Sequence, residues 1–171
     1  ANRADRMILA LSSMLRYTSD NKCELTPLRN DVEWLKKYLT LMNLRYENGF
    51  DSVWEIPEAL MDLPIPKLFL QPFIENSIVH GFPDREKGGK IVICAREETD
   101  KWTFMVSDNG VGIPPERICG LLSEDGRASG MQNVRRRIQL MYGEKEGVTI
   151  QACPGGGTRV IIQIPKGSLM I

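Results

Sequence analysis

Ser107-Asp108-Asn109-Gly110-Val111-Gly112-Ile113 sets a carboxylate beside two glycines two positions apart. The alternating run Trp102-Thr103-Phe104-Met105-Val106 leads into it and reads as a buried strand. A carboxylate at a strand end accepts hydrogen bonds from a small, planar, polar ligand, and glycine lets backbone approach that ligand closely. Taken alone, the stretch reads more readily as an ordinary Asp-Asn-Gly turn of a β protein. Three other places add chemistry. Glu75-Asn76 and His80 put polar groups beside the apolar stripe of a predicted helix. Gly130-Met131 opens another helix, whose free backbone N–H groups suit a phosphate. Pro154-Gly155-Gly156-Gly157-Thr158 is a tight turn between two strands.

The elements that must position these groups follow from periodicity. A helix is expected over residues 3–18, where Met7, Leu11, Met14 and Leu15 recur at helical spacing. Thr26 looks like an N-cap with Pro27 at the first helical position, opening a helix that runs to about Tyr46 along Leu28, Val32, Leu35, Leu39 and Met42. These two helices form a hairpin with too little partner surface of its own. It reads equally as the tail of a helical bundle, a dimerisation unit, or as a hairpin packed on the domain that follows.

Strands are expected over 52–56, 90–96, 101–106, 148–152 and 159–164. A helix beyond Pro72, closed by Gly81, places Phe73, Ser77 and His80 on one side. The polar segment 123–130 has the look of a lid. In the helix from Gly130 to about Tyr142, Met131, Val134, Ile138 and Met141 face inward and Arg135, Arg136 and Arg137 mostly outward. The fold class is an α/β (α+β) two-layer sandwich: a mixed, mostly antiparallel sheet of about five strands packed on helices, with its other face partly open.

The 171 residues carry 22 basic and 22 acidic side chains, a balance that gives no basis for nucleic-acid binding. No apolar run approaches the roughly 20 residues that span a bilayer, and no signal peptide is visible. The chain does not start with Met, which suggests an excised piece of a longer protein. Cys23, Cys94, Cys119 and Cys153 form no CxxC pair and His80 is the single histidine, which argues against zinc and points to reduced thiols. There is no glycine-rich lysine phosphate loop.

In this order and spacing, the motifs resemble the nucleotide-binding boxes of the Bergerat-fold (GHKL) ATPases, and in particular sensor histidine kinases of the LytS/YesM type. The hallmark run is matched by Leu70-Gln71-Pro72-Phe73-Ile74-Glu75-Asn76-Ser77-Ile78-Val79-His80-Gly81. Leu15-Arg16-Tyr17, Tyr38-Leu39, Leu44-Arg45-Tyr46 and Asn133-Val134-Arg135-Arg136-Arg137 also look like this family. The resemblance covers nearly the whole chain. It implies a helical hairpin over residues 1–48, the end of a dimerisation and phosphoacceptor region, and an ATP-binding catalytic domain over residues 50–166. It implies that Asp108 accepts the adenine amino group, that Gly112 lets the ring approach, and that Thr158 supports the aspartate. Gly110 and Ile113 belong to the same base site. Asn76 would give an amide oxygen to Mg2+, and Glu75 would orient metal-bound water. Gly130 and Met131 would hold phosphate with backbone N–H groups, with charge added by Arg135 or Arg137, and His80 would pack or hydrogen-bond beside the nucleotide.

The implied function is transfer of the ATP γ-phosphoryl group to a histidine upstream of this chain, for relay to an aspartate of a response regulator. The implied whole protein is a homodimer in a bacterial plasma membrane, with this part cytoplasmic. This chain alone is expected to bind ATP without phosphorylating itself. Two departures stand out: Val79 replaces a lysine common in relatives, and Ala128-Ser129-Gly130-Met131 lacks one glycine of the usual lid end. They leave a degenerate nucleotide-binding interaction module as one alternative. The other, an ATP-hydrolysing clamp, expects a general-base glutamate where Pro72 stands.

Overall fold

The computed structural model describes residues 12, 25–45, 49–82, 88–121, 130–143 and 147–167. The expected first helix, Ser12 apart, and the lid segment 123–129 lie outside the described residues.

Strand β1 (Leu25–Pro27) leads directly into helix α1 (Leu28–Arg45). Strand β2 (Phe50–Glu55) follows, then a single 3-10 turn and the short strand β3 (Pro64–Pro66). Helix α2 (Gln71–Asn76) continues as a wider π-helical turn over Ser77–Gly81. The hairpin of β4 (Gly89–Glu97) and β5 (Lys101–Asp108) precedes helix α3 (Pro115–Leu121) and helix α4 (Gly130–Tyr142). Strands β6 (Val148–Ala152) and β7 (Thr158–Pro165) complete the order.

Five strands form one sheet in the order β2-β4-β5-β7-β6. The β2–β4 pair is parallel and the others antiparallel. The register aligns buried apolar rows across the strands. Ile93 pairs with Val106, Val106 with Val160, and Val160 with Ile150. Ala95, Phe104, Ile162 and Val148 form the next row. With a side-chain period of two, this register gives one face to the core. Val92, Thr103, Met105, Ile161 and Gln163 on the opposite face are only half-buried. The covered face packs with Phe73 and Ile74 of α2, Val134 and Ile138 of α4, and Leu28, Val32, Leu35 and Leu39 of α1 in a single cluster. Phe69 meets Phe104 edge-to-face with ring centroids 4.9 Å apart, and both are fully buried.

Several local expectations shift. Thr26 and Pro27 are not the cap and first turn of a helix; they belong to β1, which pairs antiparallel with β3. The first N–H groups of α1, on Leu28 and Arg29, donate instead to the Leu63 and Met61 carbonyls at 2.9 and 2.8 Å, so a side-chain cap is not required. The turn at Ser77 takes more residues than an α-helical turn, so the spacing that places Phe73, Ser77 and His80 together fails. Phe73 and Ser77 are buried, while His80 is exposed. Arg136 is exposed, but Arg135 and Arg137 are half-buried, because the edges of α4 lie against the body.

Replacing Phe104 with Ala removes one ring of the edge-to-face pair from a fully buried site. The unfolding free energy should fall by about 3–5 kcal/mol, read as a lower urea midpoint at unchanged slope.

Candidate functional site

Asp108 is the last residue of β5 and is 7% exposed. Its Oδ1 accepts the backbone N–H of Gly110 at 3.0 Å and that of Thr158 at 3.1 Å. Its Oδ2 accepts the Ser77 hydroxyl at 2.8 Å. The three donors come from the turn after β5, the start of β7 and the π-helical turn after α2. A carboxylate offers about four acceptor positions, so three are engaged and one remains.

Backbone crowds round this carboxylate. A Cβ on Gly110 would collide with the Gly81 carbonyl, and one on Gly157 with the Asp108 carbonyl. Gly157 also sits at φ +90°, which side-chain-bearing residues rarely adopt. The Val111 N–H donates to the Gly81 carbonyl at 3.0 Å, joining the turn after β5 to the end of the helix. Asn109 braces the same turn from outside: its Oδ1 accepts the Lys90 N–H at 2.6 Å and its Nδ2 donates to the Gly88 carbonyl at 3.0 Å.

A cavity of about 700 Å³ opens beside this cluster. Of the expected site residues, Asn76, His80, Gly112 and Ile113 line it. Asp108, Gly110 and Thr158 are not among the lining residues, but Gly157, which packs on the Asp108 backbone, is. Gly130, Met131, Arg135 and Arg137 are not on the wall, and Arg137 donates instead to the Lys67 carbonyl; Gly130 brings α4 against α2, since a Cβ there would stand 2.9 Å from the Pro72 Cβ. Glu75 accepts a hydrogen bond from Gln71 Nε2 at 2.7 Å, one helical turn back. Val79 is half-exposed.

Sequence reasoning missed three contributors. Ser77 holds Asp108 directly; the signal was a hydroxyl between Ile74 and Ile78, a position that demands a buried partner. Arg117 brings a guanidinium to the cavity wall. Cys153 lines the cavity as a free thiol, and nothing in its sequence context marked it.

Residues 62–168 match the family described as histidine kinase-, DNA gyrase B-, and HSP90-like ATPase. The chain belongs to that ATPase family. Residues 1–50 also match a histidine kinase family. The sensor protein LytS of Enterococcus faecalis is 29% identical over 171 residues, covering 96% of this chain and 29% of LytS. The sensor histidine kinase YesM of Bacillus subtilis is 31% identical over 160 residues, covering 94% of this chain and 27% of YesM. The chain thus spans under a third of the length of these two relatives. The catalytic domain of histidine kinase ThkA superposes with a TM-score of 0.63 at 20% identity, over 84% of this chain and 98% of that one. ThkA in complex with the response regulator protein TrrA superposes with a TM-score of 0.59 at 19% identity, over 97% of this chain and 49% of that one. The fold is that of sensor histidine kinase catalytic domains.

Gly157 and Gly155 separate close approach from backbone conformation. Both have positive φ, but a Cβ at Gly155 meets nothing within 4 Å. Gly155→Ala should cost about 1–2 kcal/mol from conformation alone. Gly157→Ala should cost about 2–5 kcal/mol, because overpacking against Asp108 adds to it. Thermal melts of the two variants read the difference.

Proposed function

We propose that this chain is the ATP-binding catalytic part of a two-component sensor histidine kinase. In this reading it presents the ATP γ-phosphoryl group to a histidine upstream, and the phosphoryl group passes on to an aspartate of a response regulator. The observation that carries the reading is Asp108, held rigid by three donors with one acceptor position left, next to a cavity of about 700 Å³. An acceptor fixed in this way suits the exocyclic amino group of adenine. The absence of a Cβ on Gly112, together with the apolar side chain of Ile113, suits the ring plane. Thr158 and Gly110 hold the carboxylate through their backbone N–H groups.

Phosphoryl transfer needs positioning and charge neutralisation more than a covalent protein group. Mg2+ takes few protein ligands beside phosphate and water. Asn76 would give it the amide oxygen from the cavity wall, and it would neutralise phosphate charge there. Glu75, fixed by Gln71, is placed one residue away to orient water. The backbone N–H groups of Gly130 and Met131 at the start of α4 would receive phosphate oxygens, with positive charge from Arg135 and, on the cavity wall, from Arg117. His80, exposed on that wall, packs or hydrogen-bonds against the nucleotide. The clamp reading lacks its base: Pro72 occupies that position, and its ring abuts Gly130.

The whole protein in this proposal is a homodimer anchored in a membrane. Among the described residues no helix is long and apolar enough to cross one.

Calorimetric titration of ATP with Mg2+ tests the site. The chain should bind. Asp108→Asn should lose tenfold or more, the scale of a hydrogen bond to a charged group, and a parent that stays folded without binding would overturn the assignment. Chelation of Mg2+ should weaken binding by the parent, and Asn76→Ala should abolish most of that metal dependence. Incubation of this chain alone with ATP should yield no phosphohistidine.

A further inference from the structure

One peptide group joins three helices. The N–H of Leu68 donates to Asp31 Oδ1 on α1 at 3.0 Å. The carbonyl of Lys67, the other end of the same planar peptide, accepts Arg137 Nη1 of α4 at 2.8 Å. Asp31 is fully buried, an expensive setting for a carboxylate that serves only packing. Leu68 has φ +58°, the one side-chain-bearing residue with positive φ among the described residues. Such strain persists only where the surroundings over-determine the backbone. Three residues further on, Gln71 begins α2, which brings Asn76 and His80 to the cavity wall.

We propose that the Lys67–Leu68 peptide is a two-ended latch through which α1 and α4 jointly set the placement of α2 at the cavity. Asp31 and Arg137 are its positioning residues, acting on the nucleotide through this peptide without touching it. Its effect on nucleotide rests on the proposed ATP site. A rotation of the peptide plane breaks both hydrogen bonds together, so a displacement of α1 reaches α4 and α2 in one step. The latch therefore links the segment that matches the histidine kinase family, residues 1–50, to the ATPase-like domain.

The test compares Asp31→Leu, Asp31→Asn, Arg137→Met and the Asp31→Leu/Arg137→Met double variant by amide hydrogen exchange and by titration of ATP with Mg2+. In Arg137→Met, the Leu68 amide should exchange about tenfold faster or more, although its own acceptor is untouched. Either disrupting substitution should weaken ATP binding about tenfold, and the double variant should be no weaker than the poorer single, because both act on one peptide. Asp31→Asn, which keeps an acceptor oxygen, should stay within about threefold of the parent. Unchanged Leu68 exchange in Arg137→Met, or a double-variant loss equal to the product of the two singles, overturns the latch. If Asp31→Leu does not fold, the Arg137→Met exchange decides. If the parent binds no ATP the proposed function falls, and the exchange result still judges the latch.

Discussion

The hydrogen-bonded cage of the Asp108 carboxylate is the constraint on which the rest of the architecture depends. A buried carboxylate is costly unless donors surround it, and here each donor comes from a different part of the chain. Meeting that demand fixes where the end of β5, the start of β7 and the turn after α2 must lie. The close approach of those three backbones leaves no room for side chains, which accounts for glycine at 110 and 157. The sheet register serves the same end. Pairing of Ile91 with Asp108 and of Ser107 with Arg159 brings the strand ends to the level at which the donors reach.

The helices divide the work. α2 and α4 cover the sheet with Phe73, Ile74, Val134 and Ile138; Asn76 at the end of α2 reaches the cavity wall, and Gly130 at the start of α4 packs on Pro72 of α2. α1 buries one apolar face in the same cluster and adds a single buried charge, Asp31. The segment matching the histidine kinase family is therefore not a loose appendage where it is described. It shares core with the ATPase-like domain.

Much of this was legible in the sequence because the signals are local. Short apolar runs bounded by turn residues marked all five strands of the main sheet, and β5, whose run alternates, delivers Asp108 at its end as the pattern implied. The glycine turns were legible for the same reason. Long-range pairing defeated the reading elsewhere. Thr26-Pro27 has the chemistry of a helix start, but β3, nearly forty residues later, recruits it as a strand. The period of 3.6 misplaced His80, because a π-helical turn leaves no mark in the spacing of apolar residues. Ser77 was seen as a polar residue on a helix, yet its partner is 31 positions away, and no pattern within one element reveals that.

The cage has a kinetic consequence. Its donors are separated from Asp108 by 31 and 50 positions, with only Gly110 nearby. Contacts of that separation form late, since chain closure must precede them. The pocket therefore cannot exist in a partly folded chain that has only the β4–β5 hairpin. A molecule that occupies it selects the globally folded chain and draws the folding equilibrium toward it by mass action. Occupancy and the integrity of the whole sheet are two readings of one equilibrium.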